Sequence, residues 1–440
     1  MRAHVSPCSN LSGVVAAPPS KNYTTRYLLA AALADGESLV VNPAANDDAM
    51  AMRRCLIALG AEIEPVGNDL AVRGFGRHPR ARADLDVGNA GAVLRFLLAV
   101  AALGERTAFH TAFPESLGRR PNDDLLAALE TLGCGIESRG GCLPIVVRGG
   151  RPAGGTLCVN GVVSSQYLSG LLFLAPLLPE GLTVRVAGGL RSQAAVRTTI
   201  EVLGRAGVEL AADWEQLLFH VPGGQSYRPG RFVVNGDYPA ALSILAAAAI
   251  LPGEVTVEGL LPDSQGERAA IEALIAMGAP VACGTDRVTL TGGRPLRGIS
   301  FDGDRVIDAV LSLSTAAAFA DGTSIFNRVG HLRYKESDRL GDFAAEMRRA
   351  GLEITPAGET LIVRGHPGPL AGGVTVSAHQ DHRLIMALTA VGLRAEDGLI
   401  IEGAEHVSKS YPGFFEDLKR LGASIVCEDQ SSSSRGADGH

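Results

Sequence analysis

Four lysines occur in this 440-residue chain, and three of them stand among residues suited to a charged small molecule. Lys21 follows Pro19-Ser20 and precedes Asn22. Lys335 lies in the run Arg333-Tyr334-Lys335-Glu336-Ser337-Asp338-Arg339, and Lys409 in Val407-Ser408-Lys409-Ser410-Tyr411. The other basic residues are all arginine, so a retained lysine marks a place where a compact ammonium serves better than a planar fork. Lys419, inside Phe414-Phe415-Glu416-Asp417-Leu418-Lys419-Arg420, reads as an ordinary surface residue. Arg119-Arg120-Pro121 and Asp381-His382-Arg383 add guanidinium groups, which grip phosphate and carboxylate at two points. A charge run such as Arg333–Arg339 is by itself a solvated helix face. The recurrence of Lys, Arg and His at like places along the chain suits a multiply charged substrate.

These residues gather at the starts of six Ala/Leu-rich segments, each of which ends at a glycine: Gly36, Gly104, Gly181, Gly253, Gly322 and Gly398. Apolar on nearly every side, the segments predict buried helices with glycine stops. Their polar starts are Ser20-Lys21-Asn22, Asn89-Ala90-Gly91, Ser164-Ser165-Gln166, Asp237, Asp308 and Asp381-His382-Arg383. Helix N-termini carry unpaired N–H groups and partial positive charge, so several together could bind anions. N-capping accounts for Ser, Asn and Asp at such places. It does not account for Lys21, Gln166 or Arg383.

A second signal runs in step. A helix ending in Leu, Ala or Met, then Gly, two residues and an apolar one, recurs with its glycine at 60, 133, 207, 278, 351 and 422, at intervals of 71 to 74. Each of the first five is followed by a strand–turn–strand pattern that closes on another glycine. The sixth copy, which starts Gly422-Ala423-Ser424-Ile425-Val426-Cys427, runs into the tail. The repeating unit is strand, buried helix, strand, surface helix, strand, strand, in six copies. The mean of roughly 150 residues per domain would have suggested three domains.

Bulk composition narrows the function. Net charge is −7, the wrong sign for a general nucleic-acid binder, and aromatics at 5% leave little for base stacking. The N-terminal residues lack the apolar stretch of a secretory signal, and no apolar run approaches the roughly 18 residues that span a bilayer. Seven cysteines form no C-x-x-C pair, which suggests neither a zinc site nor a disulfide framework and favours a reduced, cytoplasmic setting. Residues 428–440 are polar and low in complexity, as in a disordered tail.

At this point the chain resembles the enolpyruvyl transferases, and among them the 5-enolpyruvylshikimate-3-phosphate synthase family, over almost its whole length. The pieces that carry the resemblance are Pro18–Arg26, Gly88–Arg95, Arg119–Pro121, Ser164–Gly170, the Asp308 helix, Arg333–Arg339, Asp381–Arg383 and Ser408–Leu418. What it implies is an α/β (α+β) fold of two domains, built from six βαβαββ repeats, three per domain, with the active site in the interdomain cleft. One domain would be discontinuous, 1–15 plus 236–427, with 16–235 inserted. The implied reaction moves the enolpyruvyl group of phosphoenolpyruvate to the 5-hydroxyl of shikimate 3-phosphate and releases phosphate. No metal or organic cofactor is implied, and a monomer acting on small molecules is expected, without nucleic acid or membrane.

Carried over residue by residue, the resemblance places phosphoenolpyruvate against Lys21, Gly91, Arg120, Gln166, Arg339, Arg383 and Lys409. It places shikimate 3-phosphate against Lys21, Asn22, Arg26, Ser164, Ser165, Gln166, Ser192, Asp308, His331 and Lys335. Asp308 would take the acceptor's proton, and Glu336 or Lys21 would exchange a proton with the methylene carbon. Several positions depart from the family pattern. Asn22 stands for the usual serine, as in the UDP-N-acetylglucosamine enolpyruvyl transferases, Ala92 for threonine and Phe96 for proline. Ala195 aligns where some members carry an aromatic, Arg197 replaces a nearby aspartate, and His331 stands where asparagine is common. Glyphosate, which occupies the phosphoenolpyruvate site in this family, would lie beside Ala92 and Phe96. Two other readings stay open: the same chemistry on another acceptor, whether UDP-N-acetylglucosamine or a shikimate relative, and a silent paralogue that senses an anionic metabolite. The segment Thr111–Pro121 has no cysteine where the nucleotide-sugar enzymes usually have a reactive one, and intact Asp308, Glu336 and Lys21 weigh against a sensor.

Overall fold

A computed structural model of the chain describes residues 1–150 and 152–429. The described strands form six four-stranded sheets, and all six share one order. In the third, Gly154–Asn160 runs parallel to Gly181–Ala187, which pairs antiparallel with Leu218–Val221, and Ala211–Asp213 closes the edge. The sixfold unit of the sequence is therefore six small sheets, each fed by two helices. The helices, in chain order, are α1 (Lys21–Ala32), α2 (Asp47–Leu59), α3 (Gly91–Val100), α4 (Asp123–Thr131), α5 (Gln166–Leu174) and α6 (Gln193–Arg205). They continue as α7 (Tyr238–Ile250), α8 (Ala269–Ala276), α9 (Val310–Ala318), α10 (Gly341–Arg349), α11 (His382–Arg394) and α12 (Phe414–Arg420). Odd-numbered helices are the buried ones; all thirteen residues of α7 are buried.

Both glycine series have a physical cause. The six glycines that end the even-numbered helices all have positive φ, from 79° to 113°. At the first, Gly60 N–H donates to Ile57 O and Ala61 N–H to Leu56 O, and the same pair of bonds recurs five times, down to Gly422 and Ala423. This is the left-handed stop that satisfies the last carbonyls of a helix, with a buried apolar residue sealing it. The glycines that close the hairpins do something else. A Cβ on Gly74, Gly149, Gly292 or Gly365 would lie about 2 Å from a carbonyl oxygen at the end of the preceding buried helix. The strand end is pressed onto that helix end, and Phe75 N–H and His366 N–H donate to Ala32 O and Ala318 O there. Close approach, not left-handed backbone, selects glycine at these sites.

Contacts divide the chain into two units. One comprises Met1–Pro18, Gly236–Pro262 and the chain from Glu267 on; the other comprises Pro19–Asn235 with Asp263–Gly266. The first crossing thus falls after Pro18, three residues later than the expected boundary at 15/16, because Gly13–Ala16 is a strand parallel to Gly253–Glu258 and Ala17 N–H donates to Glu258 O. The short excursion Asp263–Gly266 was not expected at all. It is bonded into the second unit through Ser264 to Glu201 and Tyr23, and through Asp263 to Asn235. Beyond Asp429, the tail expected from 428 lies outside the described residues. In the sixth sheet the missing strand is supplied by Arg2–Val5, which sits between Leu399–Glu402 and Ile425–Glu428. Each unit has its own apolar core, around α7, α9 and α11 in the first and around α1, α3 and α5 in the second.

Helix starts differ from expectation in two places. α9 begins at Val310 with Ala309 as its cap, so Asp308 stands just outside the helix with its carboxylate directed elsewhere. Ser20 and Ser165 flank α1 and α5 without capping them, whereas Asp237 and Asp381 do accept from Ala240 N–H and Arg383 N–H. Tyr23 and Tyr27 are fully buried, as core packing predicts, and each hydroxyl also has a partner, Glu201 and Arg205 respectively.

Candidate active site

The sequence-predicted residues fall into two clusters, one in each unit. In the unit of residues 19–235, Lys21 opens α1 with its ammonium 3.5 Å from Asp48 in the first turn of α2. One turn on, Arg26 is 2% exposed and donates to Thr199 Oγ1, Asn22 O and Ala195 O. Its guanidinium lies 5.0 Å from the ring centre of Phe96, so that departure from the family pattern supplies an aromatic face under a cation. Ala195 contributes its carbonyl to the same arginine. Arg197 is exposed and stacks over Trp214 at 3.9 Å, which engages it with a hairpin and not with the cluster.

Around the start of α3, a Cβ on Gly91 would stand 3.0 Å from Arg120 Nη1, 3.4 Å from Arg95 Nη1 and 3.6 Å from Gln166 Oε1. A Cβ there would crowd Arg120 most, so glycine gives these three side chains the most room. Arg95 is the organiser that sequence reasoning passed over. It donates to Gln166 Oε1 at 2.8 Å, to Ser164 Oγ, to Asn122 Oδ1 and to Pro121 O, and it lies over Tyr167. The Tyr167 hydroxyl holds Pro121 O as well, at 2.6 Å. The available signal was a charged residue inside a segment otherwise apolar on every side. Arg119, by contrast, is exposed and pairs with Glu115. Ser165 is buried, and Ser192 is a buried non-glycine residue in left-handed backbone (φ 50°) at the start of α6. Such strain persists only where surroundings impose it.

The other unit holds a carboxylate-rich cluster with Arg339 at its centre. This guanidinium donates to Asp381 at 2.7 and 3.2 Å, to Glu336 Oε2 at 2.8 Å and to Asp308 Oδ1 at 3.2 Å. Burial opposes its charge, but Asp381, Glu336 and Asp308 outweigh burial and hold it well above its ordinary value. Arg339 thus holds three carboxylates in place. Glu336 Oε1 in turn lies 3.6 Å from the Lys409 ammonium, both almost fully buried. Asp381 fixes the whole group to α11, accepting also from Ser337 Oγ and Arg383 N–H. His331 is buried 3.5 Å from Asp304. Arg333 pairs with Asp338, the residue that accepts from Leu340 and Gly341 N–H at the start of α10, so this half of the charge run is structural. Lys335 is half-buried.

Arg383 is the outlier. It is 2% exposed, and its Nε and Nη1 meet no acceptor among the described residues. Buried donors are almost always satisfied, and buried charge is costly unless paired. Such a group is suited to an anion. Among the described residues no set of three or more His, Cys, Asp or Glu is grouped to hold a metal, and no helix is long and apolar enough to cross a membrane.

Six βαβαββ units in two sets of three, with cations and carboxylates collected at buried-helix starts, define an enolpyruvyl transferase fold. The family model described as EPSP synthase (3-phosphoshikimate 1-carboxyvinyltransferase) matches residues 5–418, and the chain belongs to that family. It is 51% identical to a 3-phosphoshikimate 1-carboxyvinyltransferase of Deinococcus radiodurans over 420 residues, 95% of each chain. An EPSP synthase structure from Acinetobacter baumannii superposes with a TM-score of 0.79 at 26% identity, covering 97% of this chain and all of that one. The enolpyruvyl transferase NikO from Streptomyces tendae, at 19% identity, has the same fold with a TM-score of 0.76 over 97% of this chain and 98% of that one.

Proposed function

We propose that this chain is a 3-phosphoshikimate 1-carboxyvinyltransferase of the shikimate pathway, which leads to the aromatic amino acids. Phosphoenolpyruvate is held by Lys21, Gly91, Arg120, Gln166, Arg339, Arg383 and Lys409. Shikimate 3-phosphate is held by Lys21, Asn22, Arg26, Ser164, Ser165, Gln166, Ser192, Asp308, His331 and Lys335. Asp308 accepts the proton of the 5-hydroxyl as that oxygen bonds to C2 of phosphoenolpyruvate, while Glu336 or Lys21 protonates C3 to a methyl group. The tetrahedral intermediate then loses a C3 proton as the C2–O bond to phosphate breaks, which yields the enol ether and inorganic phosphate. Cations around the intermediate offset its charge and that of the leaving phosphate.

The observation that carries this reading is Arg383, a buried guanidinium with two unmet donors on a residue whose backbone N–H is bonded to Asp381, the carboxylate that Arg339 also binds. Family membership supports the acceptor. The test is phosphate release from phosphoenolpyruvate, first with shikimate 3-phosphate and then with UDP-N-acetylglucosamine. Release with the first and none with the second is expected. Release only with the second would reassign the acceptor, and release with neither would leave a binding protein. The reading extends to a monomer in the cytoplasm, which light scattering on the purified chain and cell fractionation check.

A further inference from the structure

Glu346 is a buried acid that the chemistry above does not use. It lies on α10, which packs against the strand Val374–Ser377, and is 4% exposed. Its Oε2 accepts Ser377 N–H at 3.1 Å. Its Oε1 accepts from His379 Nε2 at 3.0 Å, which puts the ring proton on that nitrogen, because a carboxylate can only accept. Asp342, one turn earlier on α10, lies 3.8 Å from the other ring nitrogen, and the exposed Arg349 stands 3.5 Å from Oε2. His379 and Gln380 are in left-handed backbone, φ 48° and 56°, and neither is glycine. L-residues take that conformation at a cost, and two in succession persist only where the surroundings impose them. The turn ends on Asp381, whose N–H donates to Ala378 O at 2.9 Å. The buried Asp381 carboxylate then holds Arg339 and caps α11 through Arg383 N–H.

We propose that Glu346 is a positioning residue for the anion-binding arginines. By gripping Ser377 N–H and the His379 ring together, it holds the two left-handed residues between strand and helix. That sets Asp381 against Arg339 and fixes the start of α11, which carries Arg383. This rests on the function proposed above, which gives both arginines to phosphoenolpyruvate. Glu346 acts through the backbone that delivers Asp381, not through the arginines themselves. A carboxylate suits the task because its two oxygens take two donors at once, one on each side of Ala378. An amide of the same size offers one oxygen, so one donor loses its partner and the turn is free to relax toward ordinary backbone. Asp381 then shifts against Arg339, and Arg383 moves with it. Most residues assigned to shikimate 3-phosphate stand in the unit of residues 19–235 and do not depend on this turn.

Steady-state kinetics with each substrate varied in turn test this. In Glu346→Gln, KM for phosphoenolpyruvate should rise about tenfold, the usual loss for one bond to a charged group, while KM for shikimate 3-phosphate stays within about twofold. Adding Gln380→Gly should bring KM for phosphoenolpyruvate back to within about threefold of wild type, because glycine takes left-handed backbone without strain and has less need of the brace. A carboxyl that served packing alone would give neither the split nor the recovery. Thermal melts alongside identify any unfolded variant. If Glu346→Gln is unfolded, His379→Asn carries the test with the same expected split, since it removes the ring and keeps a residue tolerant of left-handed backbone. In the variant that folds, KM values that are unchanged or raised together, or that fail to recover with Gln380→Gly, overturn the role of Glu346 and leave the enzyme reading intact. A wild-type chain that neither binds nor turns over phosphoenolpyruvate overturns both.

Discussion

Asp308 is held by Arg339 and remains one-fifth exposed, so it is fixed in direction yet open to a substrate hydroxyl. Replacing it separates its chemistry from its pairing. Asp308→Asn keeps an oxygen for Arg339 Nη1 and removes the proposed base. Its turnover should fall by about two to four orders of magnitude, the usual loss when a positioned proton acceptor is removed, while KM for phosphoenolpyruvate changes little. Steady-state kinetics check this, and equal losses in kcat and affinity would make Asp308 structural. Individual residues were unevenly legible. Lys21, Gln166 and Arg383 declared themselves because none is a preferred N-cap yet each stands at a buried-helix start. Arg95 carried a signal, charge inside an apolar run, that went unread.

The elements owe their positions to two kinds of glycine, and substitution distinguishes them. Gly351 ends α10 in left-handed backbone, and a Cβ there would meet only the flexible Leu370 Cδ1 at 3.1 Å. Gly351→Ala should cost about 1 kcal/mol, the ordinary penalty for a side chain in that region. Gly365 has ordinary backbone, but its Cβ would fall 1.9 Å from Ala320 O and 2.8 Å from Gly322 O. Backbone cannot yield as a side-chain tip can, so the hairpin must lift off the end of α9. Gly365→Ala should therefore cost about 3 kcal/mol or more, as in overpacked cores. Denaturant unfolding of the two variants measures both, and equal losses would show that close approach is not what selects glycine at the hairpin ends. The seventy-residue spacing was readable because the left-handed stop recurs in all six copies and the close approach in the first five. Their different causes were not, since a sequence records glycine without its φ or its neighbours.

At the scale of the whole molecule, the chain closes on itself. The sixth repeat has one hairpin strand, Ile425–Glu428, and its partner Arg2–Val5 comes from the other end of the sequence. Arg2–Val5 is the inner strand, bonded on both sides, so without it Ile425–Glu428 has no strand to pair with. Ala3 and Val5 would also leave the core of that unit. Deleting residues 1–8 should thus lower the melting temperature by about 10 °C or more, because a central strand and two buried side chains are lost together. Arg2 and Glu428 are paired in an antiparallel register, which places them where a short turn can join them. Moving residues 1–8 behind Asp429 through a four-residue turn gives the sixth copy a continuous hairpin, as the other five have. That rearranged chain should regain most of the lost melting temperature, as permutations at exposed ends commonly do. A truncated chain that melts with the wild type would mean the strand adds nothing. A rearranged chain that melts with the truncated one would mean that Arg2–Val5 stabilises through its link to Gly13–Ala16 and not through the sheet it completes.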